Sequence, residues 1–288
     1  MCHHKAPHDF WEYAQRHEHM FDDKTIPEPE SLFEDRCHRS PATRDFGSSV
    51  TPRSRIRSLY DDFCKKDYVT GPLQGTEHMT YEEKGKAAYQ KYLKDYLRTV
   101  AAIDDSVGKL LDVLEAEGIL EDTVVIYTSD QGMFLGEHDY QDKRWSFEES
   151  LRTPLLIRYP REIPAHTNCT ELMANIDIAP TLLDYAEISI PENMQGISCR
   201  NMIAGKPQEE YHKGIYFKNI GCIWHISMIT RHIMGCEPKI INLLFIMDWL
   251  WMQKERLINL RNQVGSYMIY KKIPANLKMC MKILLIMK

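Results

Sequence analysis

The hydrophobic pattern of the chain contains two short apolar runs and one long amphipathic segment. Residues 124–128 and 153–160 are rich in apolar and β-branched side chains, as in strands buried on both faces of a sheet. Residues 80–117 carry apolar side chains at spacings of three and four, which predicts a long amphipathic helix. Gly118 is expected to end this helix as the residue after the cap.

The order of these elements predicts the fold class. A helix, a glycine and then a strand form one half of a β/α crossover unit, so we expect an α/β protein whose mostly parallel central sheet is flanked by helices. In open α/β sheets, ligands bind at the carboxyl ends of the strands. The turn Ser-Asp-Gln-Gly, residues 129–132, lies at that end of the first strand.

This turn carries candidate chemistry. Asp130 and Gln131 offer adjacent oxygen atoms of the kind that Ca²⁺ or Mg²⁺ prefers. A glycine-containing loop then leads to Lys143 and Arg144, two cations that could hold an anion beside the metal. Taken alone, an acidic residue after a strand more often caps the following turn than forms a site.

A longer set of residues at fixed spacings favours a functional site over a simple turn cap. The chain reads S-D-Q-G, then G-E-H, K-R and E-E-S-x-R-x-P, and this string resembles the pattern of the sulfatase family. The matching residues are Asp130, Gln131, Gly132, Gly136, Glu137, His138, Lys143, Arg144, Glu148, Glu149, Ser150, Arg152 and Pro154. The resemblance implies an alkaline-phosphatase-like α/β sandwich and hydrolysis of sulfuric esters. It also implies that Asp130 and Gln131 hold Ca²⁺ and that Lys143 binds the sulfate.

The first eight residues are dense in His, Cys and Lys side chains. On composition alone, such a cluster is more often a chance or tag-like tract than a transition-metal site. The segment His-Lys-Ala-Pro-His, residues 4–8, resembles the family's H-K-x-P-H, whose lysine and histidine reach the substrate sulfate. By that resemblance, Lys5 and His8 are expected to stabilise the anionic ester and its leaving oxygen.

The family's nucleophile has no counterpart in the matching place. Sulfatases use a formylglycine made from Cys or Ser in C/S-x-P/A-x-R, and two further aspartates complete their Ca²⁺ site. None of the eight cysteines stands in that pattern. Ser40 matches the pattern formally, as S-x-A-x-R over residues 40–44. It follows Lys5 and His8 in the chain, however, whereas the family's nucleophile precedes the corresponding residues. We therefore expect no formylglycine here and interpret residues 1–218 as a partial sulfatase catalytic domain that cannot supply covalent catalysis.

Composition and charge narrow the range of partners. The net charge of −5 gives no indication of a nucleic acid partner. No apolar run approaches a membrane span, and the first residues lack the layout of a signal peptide. The eight cysteines include no C-x-x-C pair, which supports neither a zinc site nor a disulfide framework. Members of the resembled family are often secreted, periplasmic or lysosomal, and the compartment of this chain stays open.

Three functional interpretations follow. The leading one is a sulfatase fragment that binds a sulfated small molecule or glycan but has no turnover of its own. The first alternative is a non-catalytic protein that binds a sulfated glycan or another anion through the residual site. The second is a phosphoryl-transfer relative of the same superfamily, although such relatives generally have more His and Asp ligands in this region.

The last segment, residues 219–288, differs in composition from the rest of the chain. Ile, Met, Leu, Lys and Asn crowd it, and it shows no clean helical or strand period. One alternative is a basic amphipathic stretch for a membrane or a partner, because residues 240–251 are strongly apolar. We expect instead that this segment is translated out of frame and is poorly structured.

The genetic code makes the frame a testable prediction. If the third base of each codon is joined to the first two bases of the next, Met234 and Gly235 must give Gly, and Met268 and Ile269 must give Asp. With permitted choices elsewhere, the shifted frame reads YGMRTENYKL and WELYDLQKDP, which resemble the C-terminal part of sulfatases. We expect the nucleotide sequence to encode both strings in the shifted frame. Stop codons in that frame between residues 219 and 288 would contradict the prediction.

Overall fold

The computed structural model describes residues 1–206, 212, 214–218 and 234–236. Its α-helices are α1 (Pro41–Asp45), α2 (Leu59–Phe63), α3 (Tyr81–Ala116), α4 (Glu148–Leu151), α5 (Ile178–Tyr185) and α6 (Arg200–Ile203). Its strands are β1 (Val125–Thr128), β2 (Phe134–Leu135), β3 (Gln141–Asp142), β4 (Leu155–Arg158), β5 (Tyr216–Lys218) and β6 (Met234–Cys236). Short 3₁₀ turns occupy Gln15–His17, Glu30–Phe33, Leu120–Asp122, Glu137–Asp139 and Asn175–Asp177.

Helix α3 confirms the predicted long helix and its end. Thr80 and Glu83 form a capping box at its start, in which the Glu83 amide donates to Thr80 Oγ1 at 3.3 Å and the Thr80 amide donates to Glu83 Oε2 at 2.7 Å. Gly118 follows the last turn with a φ of 69°. In that left-handed conformation its amide donates to the Glu115 carbonyl at 2.9 Å, and the next amide closes the helix end.

The main core lies against the N-terminal half of α3. The buried residues of this core are Trp11, Leu32, Val50, Leu59, Phe63, Ala88, Tyr89, Tyr92 and Leu93. The C-terminal half of the same helix is more open, since Leu110 and Val113 are 46% and 59% exposed. The amphipathic stripe is therefore continuous in sequence, but the described residues bury it only as far as Ile103.

Three hydrogen bonds from α3 fix the loops that approach it. The Tyr89 hydroxyl donates to the Pro27 carbonyl at 2.6 Å, and the Tyr92 hydroxyl donates to the Phe134 carbonyl at 2.7 Å. The Gln90 side chain donates to the Ile26 carbonyl at 2.7 Å. Because two of these acceptors lie in the proline-rich segment and the third begins β2, the helix positions that segment and the chain after β1 together.

The strands correct part of the sequence-based prediction. β1 pairs with β4 antiparallel, with Val125 opposite Arg158 and Thr128 opposite Leu155. The β2–β3 and β5–β6 ladders are antiparallel as well, so within the described residues a mostly parallel sheet is not confirmed. Burial on both faces is also wrong here, because Thr128 is exposed and Leu156 is 68% exposed. Apolar, β-branched composition identifies a strand, but it encodes neither the direction of its partner nor what covers it.

The predicted tail, residues 219–288, lies outside the described residues apart from β6. Its boundary at residue 218 and its reading frame therefore stay predictions. Across the part of the chain that the structure describes, no helix combines the length and apolarity needed to cross a bilayer.

Candidate functional site

The Ser-Asp-Gln-Gly turn follows β1 as the sequence predicts. Asp130 and Gln131 are both exposed, and Ser129 Oγ lies 3.3 Å from Asp130 Oδ1. The Gly132 amide donates to the Ser150 carbonyl at 3.0 Å. The turn therefore directs its acid and amide side chains outward while its backbone is held by α4.

Gly132 is required by this close approach of two backbones. A Cβ atom at Gly132 would lie 2.1 Å from the Glu149 carbonyl oxygen and 2.7 Å from that of Arg152. Only a residue without a side chain fits there. This contact explains why the S-D-Q-G turn and the E-E-S-x-R segment occur together in the sequence: the second forms the support on which the first lies.

The Gly-Glu-His segment, residues 136–138, has a structural role in the loop that follows this turn. Gly136 adopts a φ of 106°, and a Cβ there would lie 2.7 Å from the Tyr89 ring. His138 Nδ1 lies 3.0 Å from Glu34 Oε1 and 2.6 Å from an Arg39 guanidinium nitrogen. These contacts orient His138 toward the 34–39 segment, and the sequence pattern alone did not distinguish this packing role from a ligand role.

Asp139, the residue after His138, is the buried carboxylate that sequence reasoning missed. Its Oδ1 accepts the Thr51 amide at 2.8 Å, and its Oδ2 accepts the Thr51 hydroxyl and Arg53 Nε, each at 2.8 Å. Arg36 also lies 3.2 Å from Oδ2. Asp139 is fully buried in a polar stretch without hydrophobic periodicity, so only its tertiary partners identify it.

Lys143 is the predicted sulfate-binding residue that the structure partly buries. Its carbonyl accepts the Ser150 hydroxyl at 2.6 Å, and its Nζ lies 3.8 Å from Asp142 Oδ1. Burial lowers the pKa of the Lys143 ammonium, and the nearby carboxylates of Asp130 and Asp9 oppose that shift. The ammonium of this loop lysine therefore interacts electrostatically with the turn after β1 and with the N-terminal segment.

Lys5 and His8 lie in a tight N-terminal turn. The His8 amide donates to the Lys5 carbonyl at 3.0 Å, and Trp11 Nε1 anchors the turn by donating to the Pro7 carbonyl at 3.1 Å. Both side chains are exposed. Among the contacts of the described residues, none joins Lys5 or His8 directly to Lys143.

Asp9 is a second carboxylate that the sequence analysis did not single out. Its Oδ2 pairs with an Arg57 guanidinium nitrogen at 2.9 Å, while its Oδ1 is buried without a partner among the described residues. The ion pair with Arg57 therefore holds Asp9 in place, and its carboxylate also acts electrostatically on the Lys143 ammonium.

The donors present only partly fit a calcium ion. Asp130 and Gln131 supply the right chemistry, a carboxylate and an amide oxygen, where Ca²⁺ takes about six to eight oxygen ligands. A search of the described residues finds no group of three or more His, Cys, Asp or Glu side chains that could hold a metal. The described donors by themselves do not form a complete calcium site.

Ser40, the formal match to the nucleophile pattern, has a structural role. It is the N-cap of α1, and its Oγ accepts the Thr43 amide at 3.4 Å and lies 3.2 Å from Thr43 Oγ1. The helix that it caps ends at Asp45, after five residues. A serine at an N-cap is the ordinary solution for satisfying the first amides of a helix.

Comparison with known families assigns the chain to a class. The sulfatase model matches residues 1–188, and a model described as N-sulphoglucosamine sulphohydrolase, C-terminal, matches residues 136–248. The first match covers well over half of the chain, so the chain belongs to the sulfatase family and its fold is of the alkaline-phosphatase-like α/β class.

Individual relatives support this assignment. The N-acetylglucosamine-6-O-sulfatase of Bacteroides thetaiotaomicron is 34% identical over 253 residues, which cover 75% of this chain and 44% of that protein. The N-acetylglucosamine-6-sulfatase of Bos taurus is 39% identical over 110 residues, covering 38% of this chain and 20% of that protein. A solved protein in complex with its substrate D-glucosamine-2-N,6-O-disulfate shares 31% identity at a TM-score of 0.66, over 81% of this chain and 53% of that one. The chain thus spans about half the length of these relatives or less.

The packing of Gly132 gives a testable prediction about the turn. We expect Gly132→Ala to destabilise the protein by about 1–3 kcal/mol, because the new methyl group would overlap two backbone carbonyl oxygens. Gly108→Ala is the matched control: Gly108 lies inside α3 with open space around it, so alanine should stabilise by about 0.5–1 kcal/mol. Urea unfolding of both variants measures the difference. Equal effects would contradict the proposed support of the turn by α4.

Proposed function

We propose that the chain carries the sulfate-binding part of a sulfuric ester hydrolase site. In this proposal Lys143, Lys5 and His8 bind the sulfate group, and Asp130 and Gln131 supply two of the ligands to Ca²⁺. The observation that carries it is the partly buried Lys143 ammonium, which interacts electrostatically with the carboxylates of Asp130 and Asp9. A cation partly withdrawn from water near carboxylates is suited to an anion that arrives together with a metal ion.

The chemistry of each side chain supports these roles. In ester hydrolysis the bond between sulfur and the alcohol oxygen breaks, and negative charge develops on that leaving oxygen. A cation close to the sulfate oxygens stabilises this charge, and an imidazole or ammonium donor can hydrogen-bond to the leaving oxygen. Lys143 is partly desolvated, so its interaction with the anion is stronger than that of a fully exposed lysine.

The substrate class that we propose is a sulfated amino sugar. Two relatives are named for the removal of a 6-sulfate from N-acetylglucosamine, and the solved relative is described with a disulfated glucosamine as its substrate. Four of the proposed site residues are exposed and so are accessible to a sugar: Lys5, His8, Asp130 and Gln131. A phosphoryl-transfer function has no comparable support, since the family models that match are those of sulfatases.

A non-catalytic binder of sulfated glycans is the second candidate. It is favoured by one specific observation: the formal nucleophile match, Ser40, caps α1 through the Thr43 amide. A serine that serves as a helix cap is not poised to attack an ester, and sulfate-binding groups without a nucleophile bind the ester without forming a covalent intermediate.

We predict that the purified chain shows no sulfatase turnover. The assay is release of sulfate from N-acetylglucosamine-6-sulfate and from an aryl sulfate, with the Bacteroides relative as a positive control. Turnover that disappears in Lys143→Met would contradict the prediction. A further loss in Ser40→Ala, with unchanged stability, would then identify Ser40 as the nucleophile.

The lowered pKa of Lys143 predicts how sulfate binding depends on pH. Anion binding needs the protonated ammonium, so the affinity should fall as the pH rises through a pKa that lies below the ordinary lysine value. Lys143→Arg is the matched control, because a guanidinium keeps its charge throughout that range. We expect the affinity for N-acetylglucosamine-6-sulfate, measured by calorimetry from pH 7 to 10, to fall more for the wild type than for Lys143→Arg. Parallel curves would exclude Lys143 as the binding group.

Calcium affinity is expected to be weak. Two ligands of about six to eight give an affinity that we expect to be roughly millimolar or worse. Calorimetric titration with CaCl₂ measures it, with Asp130→Asn as the comparison. Micromolar binding that survives Asp130→Asn would mean that other residues form the metal site.

A further inference from the structure

A cleft lined by arginines lies outside the proposed sulfate site. It has a volume of about 650 Å³ and is formed by the segments 34–36, 44–46 and 53–56. Four arginines line it, Arg36, Arg44, Arg53 and Arg55, and none of the five predicted site residues does. Its volume falls within the range of about 300–1,000 Å³ that is usual for small-molecule sites.

The three carboxylates at the cleft are occupied by other partners. Asp45 accepts two hydrogen bonds from the Arg44 guanidinium, at 2.8 and 3.0 Å. Glu34 is paired with Arg39 and with His138 Nδ1. Asp35 accepts the amide and the thiol of Cys37 at 2.9 and 3.0 Å. Among the described residues, none of these three carboxylates forms an ion pair with Arg36, Arg53 or Arg55.

The other arginines have more donors than acceptors. Arg36 and Arg53 share the single buried carboxylate of Asp139. Arg36 Nε and one terminal nitrogen of Arg53 are buried and have no hydrogen-bond partner in the part of the chain that is described. Arg55 is exposed, and among the described residues no hydrogen bond or ion pair involves it. Unsatisfied buried guanidinium donors carry a free-energy cost that an added acceptor would remove.

We propose that this cleft binds an oxyanion carried on a sugar, a sulfate or a carboxylate group of an acidic glycan. Guanidinium groups match the geometry of such oxyanions, and Asp139 holds two of them in place before any ligand arrives. Phe46 and Ile56 add apolar surface to the lining, which suits the C–H face of a sugar ring rather than a bare inorganic ion. The cleft uses none of the side chains of the proposed sulfate site, so this inference stands independently of that function.

Ile56 offers a test that leaves the arginine network intact. Its side chain is 36% exposed at the cleft, so Ile56→Glu adds a like charge to the position of an incoming anion, while Ile56→Gln has nearly the same shape without the charge. Both variants are made in a Lys143→Met background, so that binding at the proposed sulfate site does not contribute. The probes are a sulfated disaccharide, an unsulfated disaccharide containing a uronate, and a neutral disaccharide, titrated calorimetrically at low salt.

We expect Ile56→Glu to weaken binding of an acidic disaccharide by about tenfold or more relative to Ile56→Gln, since a like charge at short range costs about that much. The neutral disaccharide should bind weakly and equally to both. Which of the two acidic probes binds more tightly identifies the oxyanion as sulfate or carboxylate. Ile119→Glu, which places the same charge at the end of α3, controls for the change in net charge.

Arg55→Ala provides a second variant, because the exposed Arg55 has no described partner whose loss would disturb the fold. It should also weaken the acidic probes and leave the urea unfolding midpoint unchanged. Equal affinities for Ile56→Glu and Ile56→Gln, or complete loss of binding in Lys143→Met alone, would overturn the proposal. The second outcome would assign all anion binding to Lys143 and leave the proposed function intact.

Discussion

The contacts of the buried Asp139 carboxylate are the interactions on which the loop up to Lys143 and the arginine cleft depend. It accepts hydrogen bonds from the Thr51 amide and hydroxyl and pairs with Arg36 and Arg53. Four donors from two distant segments therefore converge on two oxygen atoms. Removing one partner of such a buried pair generally costs about 3–5 kcal/mol, because an unpaired charge stays behind in a medium of low polarity. The carboxylate thus fixes the loop that ends in Lys143 against the 51–53 segment.

That constraint has consequences on both sides of the loop. On one side, the chain continues from Asp139 to the partly buried Lys143, the proposed sulfate-binding residue, whose ammonium interacts electrostatically with Asp130 and Asp9. On the other side, Arg36 and Arg53 are held in fixed orientations at the arginine cleft. One buried anion therefore holds the arginines of one proposed anion site and the loop of the other, and such pre-organisation lets a bound anion avoid the cost of ordering flexible side chains.

The glycines of the same region act by allowing close contact. Gly132 lets the turn after β1 lie directly on the carbonyl groups around α4, and Gly136 turns the loop with positive φ against the Tyr89 ring. Tyr92 then hydrogen-bonds to the Phe134 carbonyl from inside the core. The long helix, the turn and the loop therefore form one connected unit, in which packing of α3 determines where the exposed Asp130 and Gln131 lie.

Much of the fold could be predicted from the sequence because local rules decide it. The spacing of apolar residues predicted α3, and Gly118 predicted where it ends. The antiparallel pairing of β1 with β4 and the exposure of Leu156 could not be predicted in that way. A strand's partner, direction and cover come from chain segments far away in sequence, and an apolar run contains no information about them.

For the candidate site, too, some features follow from the sequence and others only from the tertiary structure. By itself the sequence determined the family, through fixed spacings around Asp130, Lys143 and Ser150, since those residues are close along the chain. Only the tertiary structure revealed Asp139 as the central buried charge, Asp9 as the link to the N-terminal turn, and the cleft of arginines. Their roles depend on burial and on partners many residues away. Whether a charge is buried, and which charges neutralise it, depends on residues that folding brings together and not on its neighbours along the chain.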